Sequence, residues 1–248
     1  MTLEQFFAEN REVAIAFSGG VDSAYLLYAA TRYAARVKAY YVSTAFQPEF
    51  ELADARRLAD EVGADMQVLY VDVLMSGAVV ANPPDRCYHC KNTLFRQILR
   101  AAESDGFSLL LDGTNASDDA GDRPGMRALR ELSVRSPLRE CGLTKAEIRR
   151  LSREAGLFTW DKPAYACLAT RIRTGEEITL QKLRQTEKAE GFLFGLGFRD
   201  FRVRMVGNIA KLELRETDLP LLLENREKIV TELRKDYDSV MLNLEVRK

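Results

Sequence analysis

EVAIAFSGGVDS, running from Glu12 to Ser23, is the stretch from which the arrangement of the rest of the chain follows. Glu12 to Phe17 is a short apolar run that ends at a glycine turn, the pattern of a buried strand in a parallel sheet. From Ala24 to Ala35 helix formers dominate, with Leu26, Leu27 and Ala30 at helical spacing. The same alternation continues downstream. Val37 to Val42 reads as a strand and Glu49 to Val62 as a helix, with Leu52, Ala55, Leu58, Ala59 and Val62 on one face and Gly63 as its stop. Met66 to Val71 reads as a third strand, Asn92 to Ala102 as a helix on from a loop, and Ser108 to Leu111 as a fourth strand. Strands alternating with helices predict an α/β fold, a parallel sheet with helices on both faces, whose ligands sit outside the carboxyl ends of the strands. Two glycine turns fall at such ends: SGGVDS and Asp112-Gly113-Thr114-Asn115.

The first turn has the chemistry of an anion cradle. Gly19 and Gly20 let backbone approach a phosphate closely, and the amides opening the next helix point at negative charge. Ser18 and Ser23 add hydroxyls, and Asp22 is placed to hold Mg²⁺ against phosphates. A glycine corner with no ligand would need neither the serines nor the aspartate. The stretch lacks the lysine of a Walker loop and the spacing of a dinucleotide loop. The hexapeptide Ser18-Gly19-Gly20-Val21-Asp22-Ser23 resembles the loop of the N-type ATP pyrophosphatases, which implies ATP and an adenylated intermediate.

Composition narrows the partners. Thirty-six Lys and Arg against thirty-seven Asp and Glu leave no excess of positive charge for gripping a polynucleotide. That balance favours a small substrate over nucleic acid. No apolar run is long enough to cross a membrane, and Met1 to Asn10 lacks a signal-peptide pattern, so a cytoplasmic protein is expected.

The chain has four cysteines, Cys87, Cys90, Cys141 and Cys167. In a reducing compartment such a set points to catalysis or metal binding rather than disulfides. Cys87-Tyr-His-Cys90 follows Asn82-Pro83-Pro84 and reads as a loop leading into a helix; Cys167 lies in another loop after Lys162-Pro163. Three thiolates could hold three irons of a 4Fe–4S cluster and leave the fourth open. A zinc site completed by His89 or Cys141, a redox C-x-x-C, and Cys167 acting alone as a sulfur donor are competing readings. Cys141, in a turn before a helix, reads as a bystander.

Further along, Thr144 to Ala155 is a helix with Thr144 as N-cap, Glu147 completing a capping box and Gly156 as terminator. After Arg173 the composition changes. A helix from Glu176 to about Phe194, strands Phe201 to Val206 and Ile209 to Leu214, a charged helix ending near Lys235 and a strand Val240 to Val246 predict a small α+β domain. The expected organisation is therefore a nucleotide domain over 1–173 and a substrate or oligomerisation domain over 174–248.

Five motifs occur in order: SGGVDS, NPPDRCYHCK, LDGTNASDDAGDRPGMRAL, VRSPLRE-x-GLTKAEIR and WDKPAYACLATRI-x-TGEEIT. Together they resemble the LarE family of ATP-dependent sulfur transferases, densely from about Glu12 to Thr179 and more thinly beyond. The resemblance implies adenylation of a carboxylate of pyridinium-3,5-biscarboxylic acid mononucleotide and its replacement by a thiocarboxylate, for the nickel-pincer cofactor of lactate racemase. It implies that Asp112, Gly113, Thr114 and Asn115 line the adenylate pocket, with Asp119 and Arg123 close by. Arg202 and Arg204, on one face of a strand, would bind the substrate phosphate, and Glu190 and Glu213 would hold a metal or position substrate.

The family divides by sulfur source. Some members sacrifice the sulfur of the cysteine that matches Cys167. Others bind a 4Fe–4S cluster through the pattern of Cys87, Cys90 and Cys167, which this chain has. The resemblance also implies a homo-oligomer, with a hexamer as the suggested state, and a sulfide or other sulfur donor as partner. The rival reading is a tRNA thiolase of the same superfamily.

Overall fold

The computed structural model describes residues 1–118 and 124–247. In chain order the elements are α1 (Leu3–Glu9), β1 (Glu12–Phe17), α2 (Val21–Tyr33), β2 (Arg36–Ser43), α3 (Glu49–Val62), β3 (Asp65–Tyr70), α4 (Gly77–Val80), α5 (Arg86–Ser104), β4 (Leu110–Leu111), α6 (Pro124–Glu131), α7 (Pro137–Glu140) and α8 (Lys145–Glu154). They continue with α9 (Leu180–Gly195), β5 (Arg202–Val206), β6 (Ile209–Glu213), α10 (Leu219–Glu224), α11 (Arg226–Leu233) and β7 (Ser239–Leu242). The chain divides into two compact units, Met1–Val73 with Asp85–Lys162, and Leu74–Pro84 with Pro163–Lys248.

The first unit is built on a parallel sheet of order β3-β2-β1-β4. Alternation along the strands sends side chains to opposite faces. Val13, Ile15 and Phe17 of β1 and Ala39 and Tyr41 of β2 join a core that includes residues of α1, α2, α3 and α8. Ala14, Tyr40 and Val42 join a second core with Ile98 and Ala102 of α5. Helices thus cover both faces, as the alternating pattern requires. Fully buried leucines such as Leu26 and Leu27 each contribute about 2 kcal/mol by leaving water. Because β2 and β3 lie to one side of β1 and β4 to the other, the strand order reverses at β1 and opens a crevice at its carboxyl end.

Several elements differ from the sequence pattern. Helix α5 begins at Arg86, so Cys87, His89 and Cys90 lie on a helix instead of in a loop before it. Cys, Tyr and His are poor helix formers, and packing overrides that propensity. Tyr88 donates to Glu131 Oε2 at 2.7 Å and carries the Arg127 guanidinium 4.1 Å from its ring centre, which ties this turn to α6. The fourth strand shrinks to Leu110–Leu111, the charged C-terminal helix is broken at Asn225, and the last strand ends at Leu242.

The second unit carries the sheet β5-β6-β7, an antiparallel hairpin with β7 added in parallel. The expected boundary after Arg173 lies inside this unit, which also takes in residues 74–84. Backbone pairing explains the inclusion: Gly175 N donates to Asn82 O at 2.8 Å and Ile178 N to Val80 O at 2.9 Å. No helix among the described residues is long and apolar enough to cross a membrane.

Candidate functional site

The turn SGGVDS joins the end of β1 to the start of α2. Gly19 adopts φ 74°, a conformation that favours glycine, and a β-carbon there would also lie 3.3 Å from that of Ala55 on α3. Gly20 caps α2 with no side-chain hydrogen bond, leaving the first-turn amides open to a ligand. Ser23 Oγ donates to Gly20 O at 3.1 Å and lies 3.0 Å from Ser18 Oγ, which braces the loop from within. Asp22 is divided in its contacts. Its Oδ2 pairs with Lys145 Nζ at 2.5 Å, while the buried Oδ1 has no hydrogen-bond partner among the described residues. Burial pushes the Asp22 carboxyl up, against the opposing pull of Lys145. An orphaned carboxylate oxygen beside open amides fits a hard cation such as Mg²⁺.

The second turn is built against the first. Asp112 Oδ1 accepts from Ser136 Oγ at 2.6 Å and Oδ2 from Thr114 Oγ1 at 2.5 Å. Asn115 Oδ1 accepts from Ser117 N at 2.8 Å, and Asn115 N donates to Asp118 Oδ2 at 2.9 Å. Asp112, Thr114 and Asn115 are buried. Ala116 N donates to Leu143 O at 2.8 Å, and Ser117 Oγ accepts from Lys145 N at 3.0 Å, so this turn also fixes the start of α8. Asp119 and Arg123 lie outside the described residues.

Beside the loop is a cavity of about 130 Å³ lined by Phe17, Ser18, Tyr40, Val42, Gln47 and Phe95, among others. On the α3 side, Lys162 Nζ donates to Glu51 Oε2 at 2.8 Å, Asp54 Oδ2 at 2.7 Å and Gly19 O at 3.4 Å. Burial pushes the Glu51 carboxyl up, and the Lys162 contact holds it back.

None of the four cysteines is joined in a disulfide. Cys87 is exposed and Cys90 half-buried; at i, i+3 on α5 they share a helical face. His89 Nε2 lies 3.3 Å from Asp85 Oδ2. Cys141, half-buried against the core, has its thiol pushed up by burial. Cys167, in the second unit, precedes a 3₁₀ turn over Leu168–Arg171. Among the described residues, no group of three or more His, Cys, Asp or Glu is gathered to hold a metal ion.

In the second unit Glu190 is buried at the centre of a network. It accepts from Arg171 Nε at 2.7 Å, Arg171 Nη2 at 2.9 Å, Val203 N at 2.9 Å and Tyr165 Oη. Arg202 is buried too, donating to Ala164 O at 2.8 Å and Phe201 O at 2.6 Å. Arg204 is partly exposed; its Nε donates to Glu213 Oε1 at 2.7 Å and its Nη1 to Thr170 O at 2.5 Å.

Residues 4–113 match the asparagine synthase family model. An uncharacterized protein of Synechocystis is 39% identical over 86% of this chain and 80% of its own. The pyridinium-3,5-bisthiocarboxylic acid mononucleotide synthase of Lactiplantibacillus plantarum is 32% identical over 94% of this chain and 85% of its own. The chain belongs to the LarE family. It is therefore an ATP-dependent sulfurtransferase within the N-type ATP pyrophosphatase superfamily. A tRNA-specific 2-thiouridylase of Thermotoga petrophila is a more distant match, 24% identical over 59% of this chain and 52% of its own.

Reading this LarE-family chain residue by residue misses Lys145, Lys162 and Arg171. Lys145 reads as the first residue of an amphipathic helix, and only the fold carries it to Asp22, more than a hundred positions earlier in the chain. Lys162 and Arg171 sit within the motif around Cys167, which is the one signal that could have drawn attention to them.

Proposed function

We propose that this protein adenylates a carboxylate of pyridinium-3,5-biscarboxylic acid mononucleotide and replaces its oxygen by sulfur, serving the nickel-pincer cofactor. The observation that carries the reading is the braced loop at the end of β1, with open α2 amides beside the unpartnered Oδ1 of Asp22. The name of the Lactiplantibacillus plantarum relative supports the choice of substrate.

ATP would lay its triphosphate along Ser18 to Ser23 and its adenine in the neighbouring cavity, against Phe17 and Tyr40. Asp112 to Asn115 would border the adenylate. A carboxylate oxygen is a poor leaving group, so the substrate carboxylate first attacks the α-phosphorus and pyrophosphate departs. A sulfur nucleophile then attacks the acyl carbon, and AMP leaves with the former carboxylate oxygen. The α2 amides stabilise charge on the phosphates where it develops. Asp22 would hold Mg²⁺, which supplies further neutralisation of that charge. Lys145, paired with Asp22 beside the loop, would offer its charge to a phosphate oxygen.

Arg204, partly exposed beside Glu213, suits the substrate phosphate; Arg202, buried, supports the same region through Ala164. For the sulfur source, three cysteine thiols are the soft donor set a 4Fe–4S cluster takes, and two of them share a helical face. Cys87, Cys90 and Cys167 would hold it, and the chemistry it would supply is sulfur at the sulfide level.

The test is pyrophosphate release from ATP with the pyridinium mononucleotide and, in parallel, with bulk tRNA. Stimulation by the mononucleotide is expected. Stimulation by tRNA alone would replace this reading with that of a tRNA thiolase.

A further inference from the structure

We propose that Arg171 is a positioning residue that holds the backbone at Cys167 in place for sulfur transfer. The segment carrying that cysteine, residues 164–171, contains only a single 3₁₀ turn. Such a segment would ordinarily be mobile, yet arginine side chains hold four of its carbonyls. Arg202 Nη2 donates to Ala164 O at 2.8 Å, and Arg204 Nη1 to Thr170 O at 2.5 Å. Between them, Arg171 Nη1 donates to Ala166 O at 2.8 Å, Cys167 O at 3.4 Å and Thr170 Oγ1 at 2.8 Å.

Arg171 differs from the other two in what fixes it. Its side chain is fully buried, and Nε and Nη2 form a two-pronged pair with the Glu190 carboxylate, itself buried on α9. Glu190 Oε1 also accepts from Val203 N, so the pair is anchored to β5 as well as α9. A planar guanidinium with its geometry set on one edge presents the other edge at a fixed place. The carbonyls of Ala166 and Cys167 are held there. Thr170 closes the arrangement, donating from Oγ1 to Cys167 O at 2.8 Å and from N at 2.9 Å. Lysine, whose three donors radiate from one nitrogen, could keep the charge but could not span Glu190 and the two carbonyls as the planar fork does.

The inference rests on the reading that Cys167 delivers or helps hold the transferred sulfur, and the test separates the two. Arg171→Lys is compared with the parent in pyrophosphate release, in sulfur incorporation, and in the alkylation rate of Cys167 in a background of Cys87→Ser, Cys90→Ser and Cys141→Ser. Pyrophosphate release should stay within about twofold, because the hydrogen bonds of Arg171 go to Glu190 and the Cys167 segment and not to the phosphate loop or Arg204. Sulfur incorporation should fall about 100-fold through kcat with KM unchanged, the cost typical of a misplacement near 1 Å. Alkylation should accelerate at least about tenfold as the segment loosens, whether or not the parent transfers sulfur. If Arg171→Lys does not fold, Thr170→Val, which removes the hydroxyl's links to both Cys167 O and Arg171 Nη1 while leaving the Arg171–Glu190 pair in place, should raise the alkylation rate severalfold. Unchanged alkylation in whichever variant folds overturns the inference. So does a loss of sulfur incorporation matched by an equal loss of pyrophosphate release.

Discussion

Gly113 lies so close to Ser23 that a β-carbon on the glycine would stand 2.8 Å from the serine's backbone nitrogen. The turn after β4 is thus pressed against the first turn of α2, and glycine is the only residue that allows it. Gly113→Ala must push the two apart. It should lower stability by about 1–3 kcal/mol, as overpacking does, and raise the KM for ATP. Denaturant unfolding and pyrophosphate-release kinetics would measure both; an unchanged KM would mean that the close approach does not shape the nucleotide site.

Asp22 should separate activity from stability. Its buried Oδ1 lacks a partner, so Asp22→Asn is expected to leave the melting temperature equal or higher. Pyrophosphate release should fall about 100-fold or more, since the carboxylate that would hold the charge-neutralising Mg²⁺ is lost. A variant with full activity would remove Asp22 from the mechanism.

Lys162 makes stability depend on pH. Burial raises the Glu51 carboxyl above its ordinary value of 4.5, and Lys162 limits that rise. A carboxyl raised in the folded state binds its proton more tightly there than in the unfolded chain. Its unfavourable ionisation is therefore felt as pH climbs through 4.5 toward the folded value, and vanishes below 4.5. Lys162→Met enlarges the shift and should cost about 3 kcal/mol at pH 7, with a smaller deficit at pH 4. Adding Glu51→Gln should restore part of the loss at pH 7. A deficit that is the same at both pH values would contradict this account.

The sulfur source is open to direct measurement. Anaerobically purified protein should be brown, with about four iron and four inorganic sulfide per chain, and Cys87→Ser or Cys90→Ser should lose the colour. Colourless, iron-free protein whose Cys167 loses one sulfur mass after a turnover would establish sacrifice of that cysteine instead.

The strand–glycine–helix order of Glu12 to Tyr33 was readable because its periodicity is local. Apolar residues that alternate or recur at helical spacing can be buried in few ways. The same holds for the box at Thr144, where Thr144 N donates to Glu147 Oε2 at 2.9 Å across three residues. Family membership was readable too, since motifs such as SGGVDS and CLATR keep their order along the chain. The start of α5 is not legible in this way, because the contacts of Tyr88 that extend it come from α6.

Groups from distant positions needed the fold itself. Asp22 meets Lys145, Gly19 meets Lys162, and Arg171 meets Glu190 only after strands and helices have packed. Nothing in the local pattern of a lysine or arginine says which carboxylate will face it, because that choice is made by chain reversal and burial. Short-range order in the residues was enough to establish a phosphate-binding α/β protein. Long-range packing then assigned each charged side chain its partner, since the energy of an ion pair depends on distance and burial, neither of which has a sequence signature.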